Sequence, residues 1–483
     1  MIKLFSIKHK LFIFLAAVLV LAGIYRRTEL LLLNPSYWYD TCALGLNILK
    51  PFYALFLPLD YTQAAPVLFM ILSKAFSAVF SGITGQDTAL RLLPFLSGII
   101  SLPLFAVLVQ KMFNNKCLTL SALFLLCFNA KAVYYSIEFK QYSIELLFSV
   151  ILLLIFYNLD LKSISKRRFW FYSILAALSI WLAHSSLFII PAGAVLLFLD
   201  ARRNGSVKEF KSFITPFLIS LAVFTVFYFI PVMFSMYIDM YNHWKFSDPS
   251  FFTLSTFTGK FSDKISTLIE PPFGLNVFLY AAANIFIMLY YKSYKALILL
   301  GAPFLLVTAA GFLNLYPFQT RLILFLLPLL IILYCQVFLL IKKSNAVWFL
   351  MPLFILFFVY KELQKPLEPY IINKSSAREL YYALDAGSND NIIAAEGEVL
   401  LKYYSGGAES LIKEEYSWED FSESKIPEFL ENAPKGIYYI YSPFDLADYC
   451  KKLKEYLKNN KDIKIIKMNE GIGNSFSAEI EKI

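Results

Sequence analysis

The sequence predicts an α-helical polytopic membrane protein with about 11 transmembrane helices, a juxtamembrane helix and a small C-terminal extracytoplasmic α/β domain. Hydrophobic residues make up 58% of the 483 residues, charged residues make up only 16%, and the mean hydropathy is +0.60. Apolar stretches of about 20 residues recur, and a helix of that length spans a hydrocarbon core of roughly 30 Å. Because backbone groups inside lipid must be satisfied internally, these stretches are predicted as helices.

The basic loops order the membrane helices. The first apolar stretch follows three lysines and shows no small-x-small cleavage pattern before Arg26, so it is predicted as a retained anchor with a cytoplasmic amino end. The stretch 64–80 is predicted as a juxtamembrane helix at the interface, since counting it as a span would put every later basic loop on the wrong side. The predicted transmembrane helices cover residues 11–25, 89–110, 117–133, 143–159, 169–184, 186–200, 213–232, 274–291, 296–314, 319–341 and 346–361.

From about residue 362 the chain becomes charged and polar. Apolar runs suited to strands alternate there with helical patterns, which is typical of an α/β domain. We therefore predict a transmembrane domain at 1–361 and an extracytoplasmic soluble domain at 362–483. The predicted strands lie at 391–395, 436–441 and 462–468, and the predicted helices at 377–386 and 444–458.

Several function classes have no support in the sequence. The net charge of +9 does not indicate a nucleic-acid partner, because most cations lie in short loops that alternate along the chain. No Gly-rich nucleotide-binding motif is present, so nothing supports a cytoplasmic nucleotide-sugar or ATP site. The five cysteines show neither metal-ligand spacing nor a disulfide framework.

A first carboxylate, Asp40, follows the aromatic run 37–39 just outside an apolar stretch. An acid at the edge of the hydrocarbon layer is costly unless it faces water, a partner or a substrate. A carboxylate there can remove a proton from an acceptor hydroxyl or amine. The alternative is that Asp40 is the N-cap of a helix starting at Thr41. The extracytoplasmic segment predicted at 26–88 contains Asp40 and also Gln63, which directly precedes Ala-Ala-Pro.

A second carboxylate, Glu138, lies among tyrosines with Lys140, Gln141 and Tyr142 at the start of a helix. Glu138 and Glu145 are seven residues apart, so they share a helix face if the helix begins this early. Such groups suit a carbohydrate or phosphate site. The alternative is an interfacial aromatic belt with a surface ion pair.

A third polar group contains Tyr316 and Arg321, with Arg321 beginning a long apolar helix. Like Asp40 and Glu138, it is predicted on the extracytoplasmic side. A guanidinium can form two parallel hydrogen bonds to phosphate oxygens, which favours a lipid-phosphate partner. Snorkelling to lipid headgroups is the alternative. Arg91 and His184 are predicted on this side as well, where the alternatives are a headgroup anchor and a hydrogen-bonded structural histidine.

Taken together, these segments resemble the C-type (GT-C) polytopic membrane glycosyltransferases, close to family 39. That group includes the protein O-mannosyltransferases and bacterial enzymes that glycosylate lipid A or other envelope glycans. The resemblance covers roughly residues 1–345, and it depends on the order of the motifs and on their common membrane face. It rests on the Asp40 loop and on the segments 63–66, 89–94, 138–142 and 316–321.

The resemblance implies a hexosyl or pentosyl donor on a polyprenyl phosphate, a glycan, lipid or protein acceptor, and a multi-pass location in the cell (inner) membrane. It implies that Asp40 is the base of an inverting single displacement and that Glu138 positions the substrate. Arg321, with Lys140, would neutralise the departing phosphate. The remaining implied substrate-binding residues are Gln141, Tyr142, Tyr316, Gln63, Arg91 and His184.

The chain departs from the family at Thr41, where a second acid often follows the first. A metal bridged by paired acids is therefore not expected, and no cofactor is predicted. Two alternatives remain open. One is an oligosaccharide ligase or oligosaccharyltransferase with a larger glycan donor. The other is a lipid-linked sugar flippase or transporter, a class that usually places charges near the bilayer midplane and shows paired repeats; no repeat is visible here.

Overall fold

The chain forms two compact units. One combines Met1–Leu32 with Phe52–Lys365, and the other combines Leu33–Pro51 with Pro366–Ile483. The segment that bears Asp40 is thus grouped with the C-terminal region, whereas the division predicted from composition left it with the membrane helices. The computed structural model describes residues 2–247, 250–270, 276–336, 377–384, 391–395, 397–406, 425–443, 447–471 and 474–483.

The first unit is helical. The predicted helix 346–361 and the end of the predicted helix 319–341 lie outside the described residues. The segment between the predicted helices 213–232 and 274–291 was expected to be an extracytoplasmic loop, and its described part contains two α-helices and a π-helix at His243–Ser247. In chain order the helices are α1 (Ile2–Leu33), α2 (Tyr39–Leu49, which belongs to the second unit), α3 (Val67–Thr84), α4 (Gln86–Phe113), α5 (Lys116–Phe128), α6 (Ala130–Tyr135), α7 (Tyr142–Asn158), α8 (Lys166–Leu182), α9 (Ser186–Asn204), α10 (Val207–Phe224, continued by a π-helix at Thr225–Met233), α11 (Phe234–Asn242), α12 (Phe257–Leu268), α13 (Val277–Tyr290), α14 (Tyr294–Phe312) and α15 (Leu327–Cys335).

Among the described residues, five helices are long and apolar enough to cross a membrane. Helix α3 is one of them, although the sequence analysis placed this stretch at the interface. It has 18 residues, which at about 1.5 Å each extend about 27 Å, close to the hydrocarbon thickness. The predicted number of eleven spans stays a prediction. The five helical segments are His9–Leu33, Val67–Thr84, Gln86–Phe113, Val207–Val232 and Tyr294–Phe312.

The interior of the first unit is built around α4 and α7. Helix α4 packs on α3, α5 and α7, and α7 packs on α9. At Gly193 of α9, an added Cβ would lie 2.2 Å from the ring of Phe156 in α7. Only glycine therefore allows the two helices to approach this closely.

A buried arginine from α1 binds the carbonyl groups at the C-terminal end of α5. Arg27 of α1 is 1% exposed, and its Nη atoms donate to the carbonyl oxygens of Leu126 at 3.1 Å and Cys127 at 2.9 Å. These carbonyls belong to the last turn of α5, where the helix supplies no partners of its own. Arg27 therefore satisfies the end of a helix inside the protein.

The chain then breaks at Asn129, so the single helix predicted at 117–133 is two helices. The Asn129 side chain caps α6 and also donates to the carbonyl oxygen of Leu268 at 2.9 Å. The short α6 leads directly into the polar segment 134–142. The break at Asn129 therefore determines where Glu138 lies.

In its described part, the second unit contains a four-stranded sheet with strand order β1-β2-β4-β3. Strands β1 and β2 are parallel, while β4 pairs antiparallel with β2 and β3. Three of the strands were predicted, and β4 was not. The elements are α16 (Ala377–Leu384), β1 (Ile392–Ala394), α17 (Glu398–Tyr404), α18 (Ile426–Asn432), β2 (Gly436–Ser442), α19 (Ala447–Asn459), β3 (Ile463–Glu470) and β4 (Phe476–Lys482).

The core of the second unit lies between one face of the sheet and two helices. Tyr438 and Ile440 of β2 and Ala478 and Ile480 of β4 point to this face and are buried. Helix α18 and the amphipathic α19 cover them. The opposite face is also covered, because Tyr441 of β2 and Ser477 of β4 are buried and α16 packs on β2, β3 and β4.

Candidate active site

Glu138 lies in the turns between α6 and α7 and is 5% exposed. The hydroxyl of Tyr134 donates to Glu138 Oε2 at 2.8 Å. Arg91 of α4 donates from Nη1 to the carbonyl oxygen of Ile137 at 2.9 Å. The side chain of Glu138 and the backbone just before it are therefore held by two different helices, as a buried carboxylate requires.

For Glu138 and for Arg91, the structure decides between the alternatives that the sequence left open. Helix α7 begins only at Tyr142, so Glu138 does not share a helix face with Glu145. Arg91 is 1% exposed, so it is not a headgroup anchor on the lipid-facing surface. Its guanidinium is directed instead at the backbone of the Glu138 segment.

The loop before α3 joins the same cluster through a buried lysine. Lys140, 5% exposed, donates from Nζ to Gln63 Oε1 at 2.7 Å. Gln63 in turn donates from Nε2 to the carbonyl oxygen of Tyr61 at 3.1 Å. Two residues that are 77 positions apart, both predicted to bind substrate, are thus in direct contact.

The residues around Gln63 are held under strain and from several sides. Tyr61 and Thr62 have φ of 60° and 52°, a left-handed conformation that is unfavourable for a β-branched threonine. Tyr228, from the π-helix after α10, donates to the carbonyl oxygen of Ala65 at 2.8 Å. The sequence analysis missed Tyr228, because nothing in its apolar surroundings distinguishes it from a lipid-facing tyrosine.

Gln141 and Tyr142 extend the cluster toward α7. Gln141 is 8% exposed, and its Oε1 atom is buried with no hydrogen-bond partner in the described part of the chain. Such an acceptor is costly unless a ligand or water satisfies it. The ring of Tyr142 packs edge-on against Tyr135 at 5.1 Å, and Tyr135 packs likewise against Tyr134 at 5.0 Å.

His184 lies in the turn between α8 and α9, beside Phe224 and Tyr228. Its Nε2 atom is buried and makes no hydrogen bond to any described residue, so the interpretation as a hydrogen-bonded structural histidine has no support at this atom. Burial lowers the pKa of His184 to about 4. The imidazole is therefore neutral near pH 7 and is available as a hydrogen-bonding group.

A second buried carboxylate, Glu145, lies close to this turn. It is 3% exposed, and the backbone N–H groups of Ser185 and His184 are close to its carboxylate. Burial, with Glu145 and Tyr142 nearby, raises the pKa of Tyr316 well above its ordinary value. Tyr316 therefore lies beside the α7 side of the cluster, although it comes from the loop after α14.

Arg321 lies in the turn that follows Tyr316, not at the start of a long helix; α15 begins at Leu327. The Tyr316 hydroxyl donates to the carbonyl oxygen of Leu322 at 2.9 Å and closes this turn. The Arg321 guanidinium lies over the Trp244 ring, 5.4 Å from its centroid. This distance is that of a cation–π contact.

Asp40 belongs to the second unit. Helix α2 begins at Tyr39 with Trp38 as its N-cap, so the expectation that Asp40 caps a helix starting at Thr41 is wrong. Asp40 lies inside the first turn and is partly exposed, whereas residues 41–45 are buried. A carboxylate in the first turn is stabilised by the helix dipole.

The described ranges bring together no group of three or more His, Cys, Asp or Glu side chains that could hold a metal ion. The expectation of an enzyme without a bridged metal stays a prediction.

No protein-family model matches the sequence, and no curated protein matches it. Among solved structures, the chain is similar to ArnT from Cupriavidus metallidurans in the apo state, with a TM-score of 0.55 and 9% identity over 97% of this chain and 98% of that chain. ArnT from the same organism bound to undecaprenyl phosphate gives a TM-score of 0.52 and 10% identity over 98% and 97%. The Archaeoglobus fulgidus oligosaccharyltransferase in complex with Zn and sulfate gives 0.49 and 11% over 88% and 68%.

The similarity to ArnT extends over nearly the whole of both chains. It shows that this chain is a helical membrane protein with the GT-C fold, as the resemblance of its motifs predicted. At identities of 9% and 10%, it is a likeness of fold, and it assigns no residue a role.

Proposed function

We propose that this GT-C protein is an integral-membrane glycosyltransferase that moves one sugar from a polyprenyl-phosphate donor to an extracytoplasmic acceptor. The observation that carries the proposal is the buried polar cluster of the first unit, in which Glu138, Lys140 and Gln63 are 5%, 5% and 7% exposed. Ionisable groups inside a membrane protein are costly, and they usually mark a substrate path. An anionic lipid phosphate with a polar sugar matches buried cations, a carboxylate and amides.

The proposed reaction is a single displacement. Asp40 takes the proton of an acceptor hydroxyl or amine, and the acceptor atom attacks the anomeric carbon from the face opposite the phosphate. The bond from that carbon to the phosphate oxygen breaks, and polyprenyl phosphate leaves with the electron pair. The anomeric configuration is inverted.

Glu138, held by Tyr134, would accept hydrogen bonds from sugar hydroxyls and fix the ring. Arg321 and Lys140 would neutralise the phosphate as its charge grows, and preoriented cations in a water-poor site stabilise such charge strongly. The Trp244 ring lies against the Arg321 guanidinium, and a guanidinium can form two parallel hydrogen bonds to phosphate oxygens. The ArnT complex with undecaprenyl phosphate supports a polyprenyl phosphate as the donor lipid.

The experiment uses the full chain, purified in nanodiscs, with a panel of undecaprenyl-phosphate monosaccharides. One donor should bind, and with a suitable acceptor or slowly with water it should release undecaprenyl phosphate and a product of inverted configuration. Turnover of lipid-linked oligosaccharides alone would move the assignment to an oligosaccharide ligase. Movement of an intact lipid-linked sugar across vesicles, without cleavage, would replace the proposal with a flippase.

The proposed side of the membrane has its own test. In a background without the native cysteines, Ser165→Cys, in the exposed turn before α8, should resist a membrane-impermeant thiol reagent in intact cells. Ser255→Cys, in the exposed turn before α12, should react. Reversed labelling would place the Glu138 segment on the cytoplasmic side, as expected if α3 crosses the membrane, and would separate it from Asp40.

A further inference from the structure

We infer that residues of the C-terminal α/β unit are positioning residues for Asp40, so that this unit sets the geometry of the proposed base. The inference rests on the proposed function, in which Asp40 deprotonates the acceptor. It gives the α/β unit a role in turnover itself.

The chain leading into α2 is held by α16. Arg378 donates from Nη2 to the carbonyl oxygen of Asn34 at 2.6 Å, and its backbone N–H donates to Ser36 Oγ at 3.2 Å. The Ser36 hydroxyl in turn donates to the carboxylate of Glu379. Each of these bonds joins residues more than 340 positions apart, and together they fix the entry of the chain to α2.

The residues directly before Asp40 are held by α17. The backbone N–H of Tyr37 donates to the Tyr404 hydroxyl at 2.7 Å. The Tyr37 ring, 1% exposed, packs against the Tyr403 ring at a centroid distance of 5.8 Å. The backbone three residues before Asp40 is therefore fixed by a side chain of the α/β unit.

Helix α2 itself packs on α17 through a small residue. An added Cβ at Gly45 would lie 2.5 Å from the Tyr403 ring, so glycine is what permits this contact. Cys42, one turn earlier, is fully buried, and Tyr441 of β2 is close enough to interact with it electrostatically. Cys42 and Gly45 thus mark the face of α2 that is packed on the α/β unit.

Asp40 lies on the other side of this helix. At about 100° per residue, it is roughly 160° from Cys42 and roughly 140° from Gly45 around the helix axis. Packing through Cys42 and Gly45 therefore turns the carboxylate away from α17, to the face where it is partly exposed. A shift or rotation of α2 would move the carboxylate with it.

The test uses Gly45→Ala in the full chain. Alanine normally favours a helix interior over glycine, so any loss reports the collision with Tyr403 and not poorer helix formation. With Cys42 as the only remaining cysteine, Gly45→Ala should raise its labelling rate by a thiol reagent about tenfold, and kcat should fall by about 10- to 100-fold, because small misplacements of a reacting group have large effects. The donor KM should stay within about twofold, since the donor contacts are elsewhere.

Two further variants make the test specific. Tyr403→Leu in the Gly45→Ala background removes the colliding ring. It should return both the Cys42 labelling rate and kcat most of the way to the wild-type values. Gly436→Ala is the matched control, because nothing lies within 4 Å of a Cβ added at Gly436, and it should leave both readings at the wild-type level.

Unchanged Cys42 labelling in Gly45→Ala would overturn the docking of α2. Faster labelling with unchanged kcat would overturn the positioning role. Asp40→Asn in the same assay separates these failures from failure of the proposed function. An inactive Asp40→Asn beside an active Gly45→Ala removes only this inference, whereas an active Asp40→Asn removes the base itself.

Discussion

Glu138 and Asp40, which the resemblance assigned to one reaction, are held in different ways. Glu138 is fixed inside the helical unit, where Tyr134 binds its carboxylate and Arg91 binds the preceding backbone. Asp40 lies in the segment Leu33–Pro51, which belongs to the α/β unit. Its supports come from α16 and α17, more than 300 residues later in the chain. The donor-side and acceptor-side groups of the proposed reaction therefore depend on separate parts of the fold.

This difference predicts that the two groups can be damaged independently. Changes in the helical unit should weaken donor binding, whereas changes in the α/β unit should lower turnover at unchanged donor affinity.

Ending the chain after Lys365 removes every described partner of the Leu33–Pro51 segment within its unit. Transfer should fall by at least about 10²-fold, as expected when a general base is misplaced. Donor affinity, measured by binding of a labelled polyprenyl-phosphate sugar in nanodiscs, should stay within about threefold. Loss of donor binding in a truncated protein that still unfolds cooperatively would show that the helical unit does not hold the donor alone.

Arg321→Ala should weaken donor binding by about 10- to 100-fold, because a hydrogen bond to a charged group contributes about 1.5–3 kcal/mol. Arg321→Lys should recover only part of this affinity, since the fork geometry is lost. Arg26→Ala, which breaks only a half-exposed ion pair with Glu29, is the matched control. Wild-type donor affinity in Arg321→Lys would show that Arg321 acts only through its positive charge.

Gln63→Leu removes the acceptor that orients the Lys140 ammonium. Donor affinity should fall by about 3- to 10-fold, the range expected for one buried hydrogen bond, and Gln63→Glu should lie closer to wild type. Gln110→Leu changes a glutamine that bonds Thr119 and Asn114 instead, and it serves as the control. Equal affinities for the three Gln63 forms would place Lys140 outside the donor site.

The smallest expected effect concerns His184. Because burial lowers its pKa to about 4 from 6.5, the native state binds fewer protons than the unfolded state between these values. Its contribution to stability is complete above about pH 6.5 and is lost as the pH falls toward 4. The fall in Tm from pH 7 to pH 5 should be smaller in His184→Gln by about 2 °C, and an identical fall would contradict this assignment.

The helices of the first unit were largely predictable, because each carries its own local pattern of apolar residues. The stretches 89–110 and 143–159 differ from α4 and α7 by only a few residues at each end. The break at Asn129 was not predicted, although Asn129 and Lys131 interrupt the apolar run and asparagine is a favoured N-cap. Strand β4 was not predicted, although Phe476, Ala478 and Ile480 alternate with the polar residues Ser477, Glu479 and Glu481.

The site was predictable as residue types and not as an arrangement. The contact of Lys140 with Gln63 and the burial of Arg91 follow from how α3, α4 and α7 pack, which no local pattern encodes. The packing of Gly45 on Tyr403 could not be predicted from the sequence, because a lone glycine in a short helix normally indicates only a flexible position. Long-range pairing of this kind is the part of the account that required the structure.

The most direct test of the central claim compares Asp40→Asn with Glu138→Gln, for transfer rate and donor affinity in nanodiscs. Asp40→Asn keeps the shape of the side chain but removes the base. Its transfer rate should fall by about 10² to 10⁴ at unchanged donor affinity. Glu138→Gln should instead change affinity at least as much as turnover, because Glu138 positions the substrate. Near-normal transfer by Asp40→Asn would contradict the account and leave Asp40 as a carboxylate that only stabilises the first turn of α2.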